Sequence, residues 1–186
     1  MKLMIYIADI PGTVKWPSPI RYTIEDLFQR VIKTNSDFDS VKVEWSSKPP
    51  ALGTYDLLCY FVGSKSESVL VQGKLSPAAT LGHTGTTSIG GKIVGSEVYL
   101  SGHQDEPKAL GKLAFHELMH NVCLMKEGLH KVTGVSLGKE EINVGTDLSE
   151  GDINLLNKHL KKARSQWRDG YKFKPQKGDP FSDPFG

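Results

Sequence analysis

The apolar positions change period several times along the chain, and each change marks an element. Residues 2–10 alternate and are rich in Ile, Leu and Tyr, which predicts a strand closed by Pro11-Gly12. Ile20, Ile24, Leu27, Phe28, Val31 and Ile32 then recur at the three-and-four spacing of an amphipathic helix. Ser18 or Thr23 is its expected cap, and Glu25, Asp26 and Arg30 mark its polar side. Residues 41–45 predict a short strand ended by Lys48-Pro49-Pro50, and the nearly unbroken apolar run 55–62 predicts a strand covered on both faces. From 77 to 95 the chain turns rich in Gly, Thr and Ser, which suits a bulged edge or a surface loop, and 97–101 predicts another strand.

Two helices close the pattern. Asp105-Glu106-Pro107 is a helix-start signature, and the helical spacing continues to Gly128. Ser149 and Asp152 have capping-box spacing and open a last helix carrying Ile153, Leu155, Leu156, His159 and Leu160, with its end expected near Asp169-Gly170. The chain shows no internal repeat. The expected division is therefore one domain over 1–170 and an extended, Pro- and Gly-rich tail over 171–186. The tail repeats Asp179-Pro180-Phe181 as Asp183-Pro184-Phe185, and these phenylalanines are expected to pack back onto the domain rather than to dock elsewhere.

Composition narrows the class. At 186 residues, with 38% apolar and 24% charged positions, the chain has the make-up of one globular domain. Lys and Arg number 23 against 21 Asp and Glu, a net charge of +2 that points to neither a nucleic acid nor a membrane surface as partner. The basic positions from Lys161 to Lys174 fit a solvated helix face. No window reaches the roughly 18 apolar residues that a membrane-spanning helix needs. Asp9 interrupts the first apolar stretch, and no cleavage site follows it. A monomer is expected, cytoplasmic or exported without a cleaved signal. Cys59 and Cys123 lie in apolar segments and are expected to be buried free thiols.

The chemistry concentrates in the first of the two late helices. His116 and His120 are four apart, so on a helix their imidazoles share one face and can grip a single ion. Glu117 follows the first histidine by about 100° of rotation, near enough to act as general base without being a ligand. Zinc, one ion per chain, is the expected metal, because it accepts imidazole nitrogen and an open tetrahedral position.

The run His116-Glu117-Leu118-Met119-His120-Asn121, followed by a glycine turn and His130, resembles the metzincin clan of zinc peptidases. The stretch from Asp147 to Ile153 is similar to the start of that family's last helix. The resemblance implies an α+β, zincin-like single domain: a twisted mixed sheet with an active-site helix and a C-terminal helix. It implies a zinc-dependent endopeptidase with Glu117 as catalytic base and His116, His120 and His130 as metal ligands. The substrate would be a peptide lying extended along an edge strand near 88–94. The family's third histidine comes six residues after the second, whereas here Cys123 and Lys126 hold the positions that the family gives to glycine and histidine, and His130 lies ten beyond His120. The four extra residues are close to one helical turn, so the helix would run on to Gly128 and His130 would swing back to the metal. The family's methionine beneath the metal has no counterpart among Met1, Met4, Met119 and Met125.

Local context separates the other candidate ligands. Glu140, Glu141 and Glu150 are the alternative third ligands, with Glu150 better suited to the first turn of the last helix. Asp147 and Asp152 suit turn and cap roles. His83 is expected in a loop, His103 just ahead of the active helix, His159 in the core, and Cys123 as a small buried side chain. The rival functions are a silent zinc-binding interaction module and a zinc hydrolase of non-protein amides.

Overall fold

The alternation over the first residues folds as β1 (Lys2–Asp9), with Leu3, Ile5 and Ile7 buried beneath the helices. In this computed structural model the described residues are 1–48, 55–68, 82–87, 93–101, 106–123, 137 and 145–161. Helix α1 (Pro17–Ile32) crosses over to β2 (Ser40–Ser46), which pairs with β1 in parallel, Ile5 facing Val43. A parallel neighbour requires such a crossover, and the amphipathic run of α1 supplies it. Strand β3 (Leu57–Val62) lies on the other side of β1, also parallel, and every residue in it is buried, as its unbroken apolar run predicts.

Strands β4 (Gly82–Thr87) and β5 (Ile93–Tyr99) complete one mixed sheet in the order β2-β1-β3-β5-β4. Four strands are parallel, and β4 alone runs antiparallel, at the edge beside β5. His83 therefore sits in a strand rather than the expected loop, and β5 begins earlier than the apolar signal at 97–101. The glycines of this stretch weaken the strand signal of its threonines, so pairing between β4 and β5 decides the conformation. The edge itself is formed by 82–87. Of the 88–94 stretch expected to receive a substrate, Ile93 and Val94 belong to β5, interior to the sheet, and 88–92 lie outside the described residues.

Helices α2 (Pro107–Cys123) and α3 (Glu150–His159) pack with α1 on one face of the sheet, around a core that includes Ile24, Phe28, Leu57, Phe61, Leu113 and Leu118. The opposite face carries a second apolar group, Ala8, Tyr55, Leu58, Tyr60, Val62 and Tyr99. The α1–α2 crossing is close at Gly111, where an added Cβ would stand 2.7 Å from Thr23 Cβ. A glycine inside a helix gives up about 1 kcal/mol of propensity relative to alanine, and the close approach of the two backbones is what it gains here. The described residues thus form a single α+β domain, and none of their helices is long and apolar enough to cross a membrane.

Two helix ends differ from expectation. Neither Ser18 nor Thr23 caps α1: its N-cap is Trp16, with no side-chain bond, and Pro17 opens the helix. Proline fixes a helical φ and has no N–H to satisfy, so the start needs no polar cap. The Thr23 hydroxyl instead donates to Pro19 O at 2.9 Å. Helix α3 ends at His159, well short of Asp169-Gly170, and Leu160 is extended and buried. Its carbonyl accepts from Asn35 Nδ2 at 3.1 Å, and Asn157 Nδ2 donates to Val31 O at 2.9 Å. Burial of Leu160 and these amide bonds to the end of α1 outweigh another helical turn. The start of α3 agrees with the sequence: Ser149 and Asp152 form a reciprocal capping box. The tail over 171–186 and the extension of α2 to Gly128 lie outside the described residues.

Candidate metal and catalytic site

Helix α2 is buried on nearly all sides, because it sits on β5, β4 and β3 while touching α1 and α3. A helix in that position can afford polar groups only where the surroundings satisfy them. His116 is one such group. Its Nδ1 lies 2.6 Å from Leu137 O, and a carbonyl can only accept, so Nδ1 is the donor; in the neutral ring this makes Nε2 the nitrogen with the lone pair. Metal-binding histidines are held in this way, with the second nitrogen fixed by a backbone carbonyl. Leu137 is itself pinned, its N–H donating to Asp147 O at 3.1 Å, and Asp147 is bridged by Arg30 of α1 at 2.9 Å.

His120 lies one turn on, half-buried, with its ring centroid 4.8 Å from that of His116 and the rings perpendicular. The two imidazoles are brought together as the spacing predicts. Zinc fits what is present: two adjacent imidazoles, one of them locked in the tautomer that leaves Nε2 for a cation. Among the described residues no group of three His, Cys, Asp or Glu side chains gathers to hold an ion. His130, His103, Glu140 and Glu141 lie outside the described residues.

Glu117 is buried between the helix and the sheet edge. Its Oε2 is 2.9 Å from Thr84 Oγ1, and its backbone carbonyl lies 2.8 Å from both Thr84 Oγ1 and Ser96 Oγ. A hydroxyl has one proton to give. The consistent assignment has Ser96 donating to the carbonyl and Thr84 to the carboxylate. Burial pushes the Glu117 carboxyl up to about 8; the Thr84 hydrogen bond pulls it down, and the nearby Glu97 raises it. Glu97 is buried too, and accepts from Tyr99 Oη at 2.9 Å and from the Ser68 hydroxyl.

The remaining candidates have other occupations. Glu150 is exposed in the first turn of α3, where an acid complements the helix dipole. Asp152 is engaged in the capping box and Asp147 with Arg30. His159 is half-buried in the last turn of α3, and Cys59 and Cys123 are buried free thiols, as expected.

Thr84, Ser96, Gly82 and the Leu137 carbonyl are partners of the site that no sequence motif marks. Thr84 lies in the Gly/Thr/Ser-rich stretch 77–95 that suggests a bulged edge or surface loop, Ser96 falls between that stretch and the strand expected at 97–101, and Leu137 acts through a backbone atom that carries no residue-type signal. Gly82 is required by space: a Cβ there would stand 2.7 Å from Glu117 Oε1 and 2.8 Å from Glu97 O. In comparison with known proteins, neither a protein-family model nor a curated protein matches the chain.

Proposed function

We propose that the protein is a zinc-dependent peptidase of metzincin-like type, with His116 and His120 as metal ligands, His130 as the third, and Glu117 as general base. The observation that carries this reading is the pairing on α2 of a tautomer-locked imidazole with a buried, hydrogen-bonded carboxylate on the next residue. A purely structural zinc site closes all four positions with ligands and has no use for a base beside them. The element order supports the same reading: strand, helix, two strands, antiparallel edge, strand, active helix and capped last helix.

When bound, zinc would supply Lewis acidity to the scissile carbonyl, and a positive charge that favours the Glu117 carboxylate. Glu117 takes the proton of the attacking water and returns it to the leaving amine, a role suited to a carboxyl whose burial brings it near neutrality. Thr84 holds the carboxylate while this happens. Strand β4, as the sheet edge, can pair with an extended peptide backbone and so present the scissile bond to the site.

The test is metal analysis of the purified protein with digestion of a quenched-fluorescent peptide library, with and without a chelator. About one zinc per chain and chelator-sensitive cleavage are expected, and His116→Ala or His120→Ala should remove both, since the remaining ligands hold zinc poorly. Unchanged zinc content in both variants would end the metal assignment. A zinc-loaded protein that cleaves nothing in the library would favour the silent module instead.

A further inference from the structure

We propose that Thr84 is a positioning residue for the general base: from the edge strand it fixes the Glu117 carboxylate, while Gly82 leaves the gap that the carboxylate occupies. This rests on the reading of Glu117 as the base of a peptidase.

Three observations converge on β4. Thr84 Oγ1 donates to the Glu117 carboxylate at 2.9 Å while Ser96 Oγ of β5 donates to the Glu117 backbone carbonyl at 2.8 Å, so two hydroxyls on neighbouring strands fix the residue's rotamer and its helix position. The two hydroxyl oxygens lie 3.0 Å apart, and both residues are buried. Two positions earlier on the same strand, Gly82 is the one residue type that leaves space for Glu117 Oε1 and Cγ, which an added Cβ would meet at 2.7 and 2.8 Å. The carboxylate is thus bounded by a missing side chain on one side and by a donated hydroxyl proton on the other.

The arrangement has a consequence for catalysis. The same strand that would pair with an extended substrate also holds the base, so substrate backbone and proton acceptor share one frame. A reacting geometry set this way tolerates little error, because a displacement of about 1 Å can cost about 100-fold in rate. Thr84 therefore bears on turnover rather than on substrate affinity.

The experiment compares zinc-loaded wild type with Thr84→Val, Thr84→Ser, Gly82→Ala and Glu117→Gln on one peptide taken from the library screen. Thr84→Val keeps the shape and removes the hydroxyl, and a fall in kcat of about 10- to 100-fold is expected with KM within about twofold and zinc content unchanged. Thr84→Ser restores the hydroxyl and should recover most of the rate, which a merely space-filling threonine would not predict. Gly82→Ala should lower kcat with zinc retained, because Glu117 must move. In the metal-free proteins, thermal midpoints of Thr84→Val, Glu117→Gln and the double variant should be non-additive, Thr84→Val costing less in the Glu117→Gln background than in wild type. Wild-type kcat in Thr84→Val beside an inactive Glu117→Gln overturns the positioning role and leaves the peptidase reading intact. Additive midpoints, or a loss of rate that Thr84→Ser does not repair, overturn it as well. A wild type as inert as Glu117→Gln removes the peptidase reading itself, and the positioning role with it.

Discussion

Helix α2 faces two buried regions of opposite character. Towards α1 and the centre of the sheet it meets an apolar block, in which Phe115 packs on Phe28 with ring centroids 4.7 Å apart and Leu110, Leu113 and Leu118 fill the space around them. Towards the sheet edge it meets Thr84, Ser96 and Gly82, and there Glu117 and Asn121 are buried like the leucines of the apolar block. The first region gains from every atom removed from water. The second must offset the desolvation of a carboxyl with a few hydroxyl bonds, and such a site is kept where function requires it rather than for stability.

The comparison can be broken most sharply in the apolar block. Phe28→Ala removes a fully buried ring and its partner contact, and should cost about 3–5 kcal/mol, seen as a lower urea midpoint at unchanged slope. A loss below about 1 kcal/mol would mean that the block is not where the stability lies. In the polar corner Glu117→Gln should act the other way. Turnover should fall about 100-fold or more with the proposed base gone, while the metal-free protein nearly keeps its thermal midpoint at pH 7, because burial already holds the carboxyl mostly uncharged there and Gln keeps its volume. A large drop in midpoint would make Glu117 structural and remove the contrast.

Smaller effects sharpen the picture. Ser149→Ala deletes the hydroxyl that accepts from Asp152 N at 3.1 Å and should cost about 1 kcal/mol, with no change in zinc affinity, since α3 supplies none of the assigned ligands. The weakest change is Arg30→Ala. The Arg30–Asp147 bridge is open to solvent, 40% and 60% exposed on its two sides, and is worth less than about 1 kcal/mol. Its pH signature has a definite sign: the Arg30 hydrogen bond holds the Asp147 carboxyl below its ordinary 3.8, so the gain is present above that value and is lost as pH falls beneath it. Thermal midpoints of wild type and Arg30→Ala should therefore differ slightly at pH 7 and converge as pH falls through the lowered Asp147 value. A gap that widens in acid would contradict the bridge.

The apolar block was legible along the chain because its signal is periodic. The spacing of Ile20, Ile24, Leu27, Phe28 and Val31, and the unbroken run of β3, state which residues face inward before any partner is known. The capping box of α3 and the shared face of His116 and His120 were readable for the same reason: each is a relation between residues a few positions apart on one helix. What surrounds Glu117 is a relation between distant segments. Thr84 and Ser96 lie more than twenty residues before it, Leu137 acts on His116 through a carbonyl, and the need for Gly82 exists only because α2 brings a carboxylate against that strand. Likewise α3 stops at His159 because Leu160 finds the core and Asn35 finds its carbonyl, neither of which any local propensity records. The sequence by itself determined the helices, the inner strands and the paired histidines, since these follow from local periodicity. Only the tertiary structure decided the edge strand, the surroundings of Glu117 and the last helix end, because there the free energy comes from contacts between segments far apart in the chain.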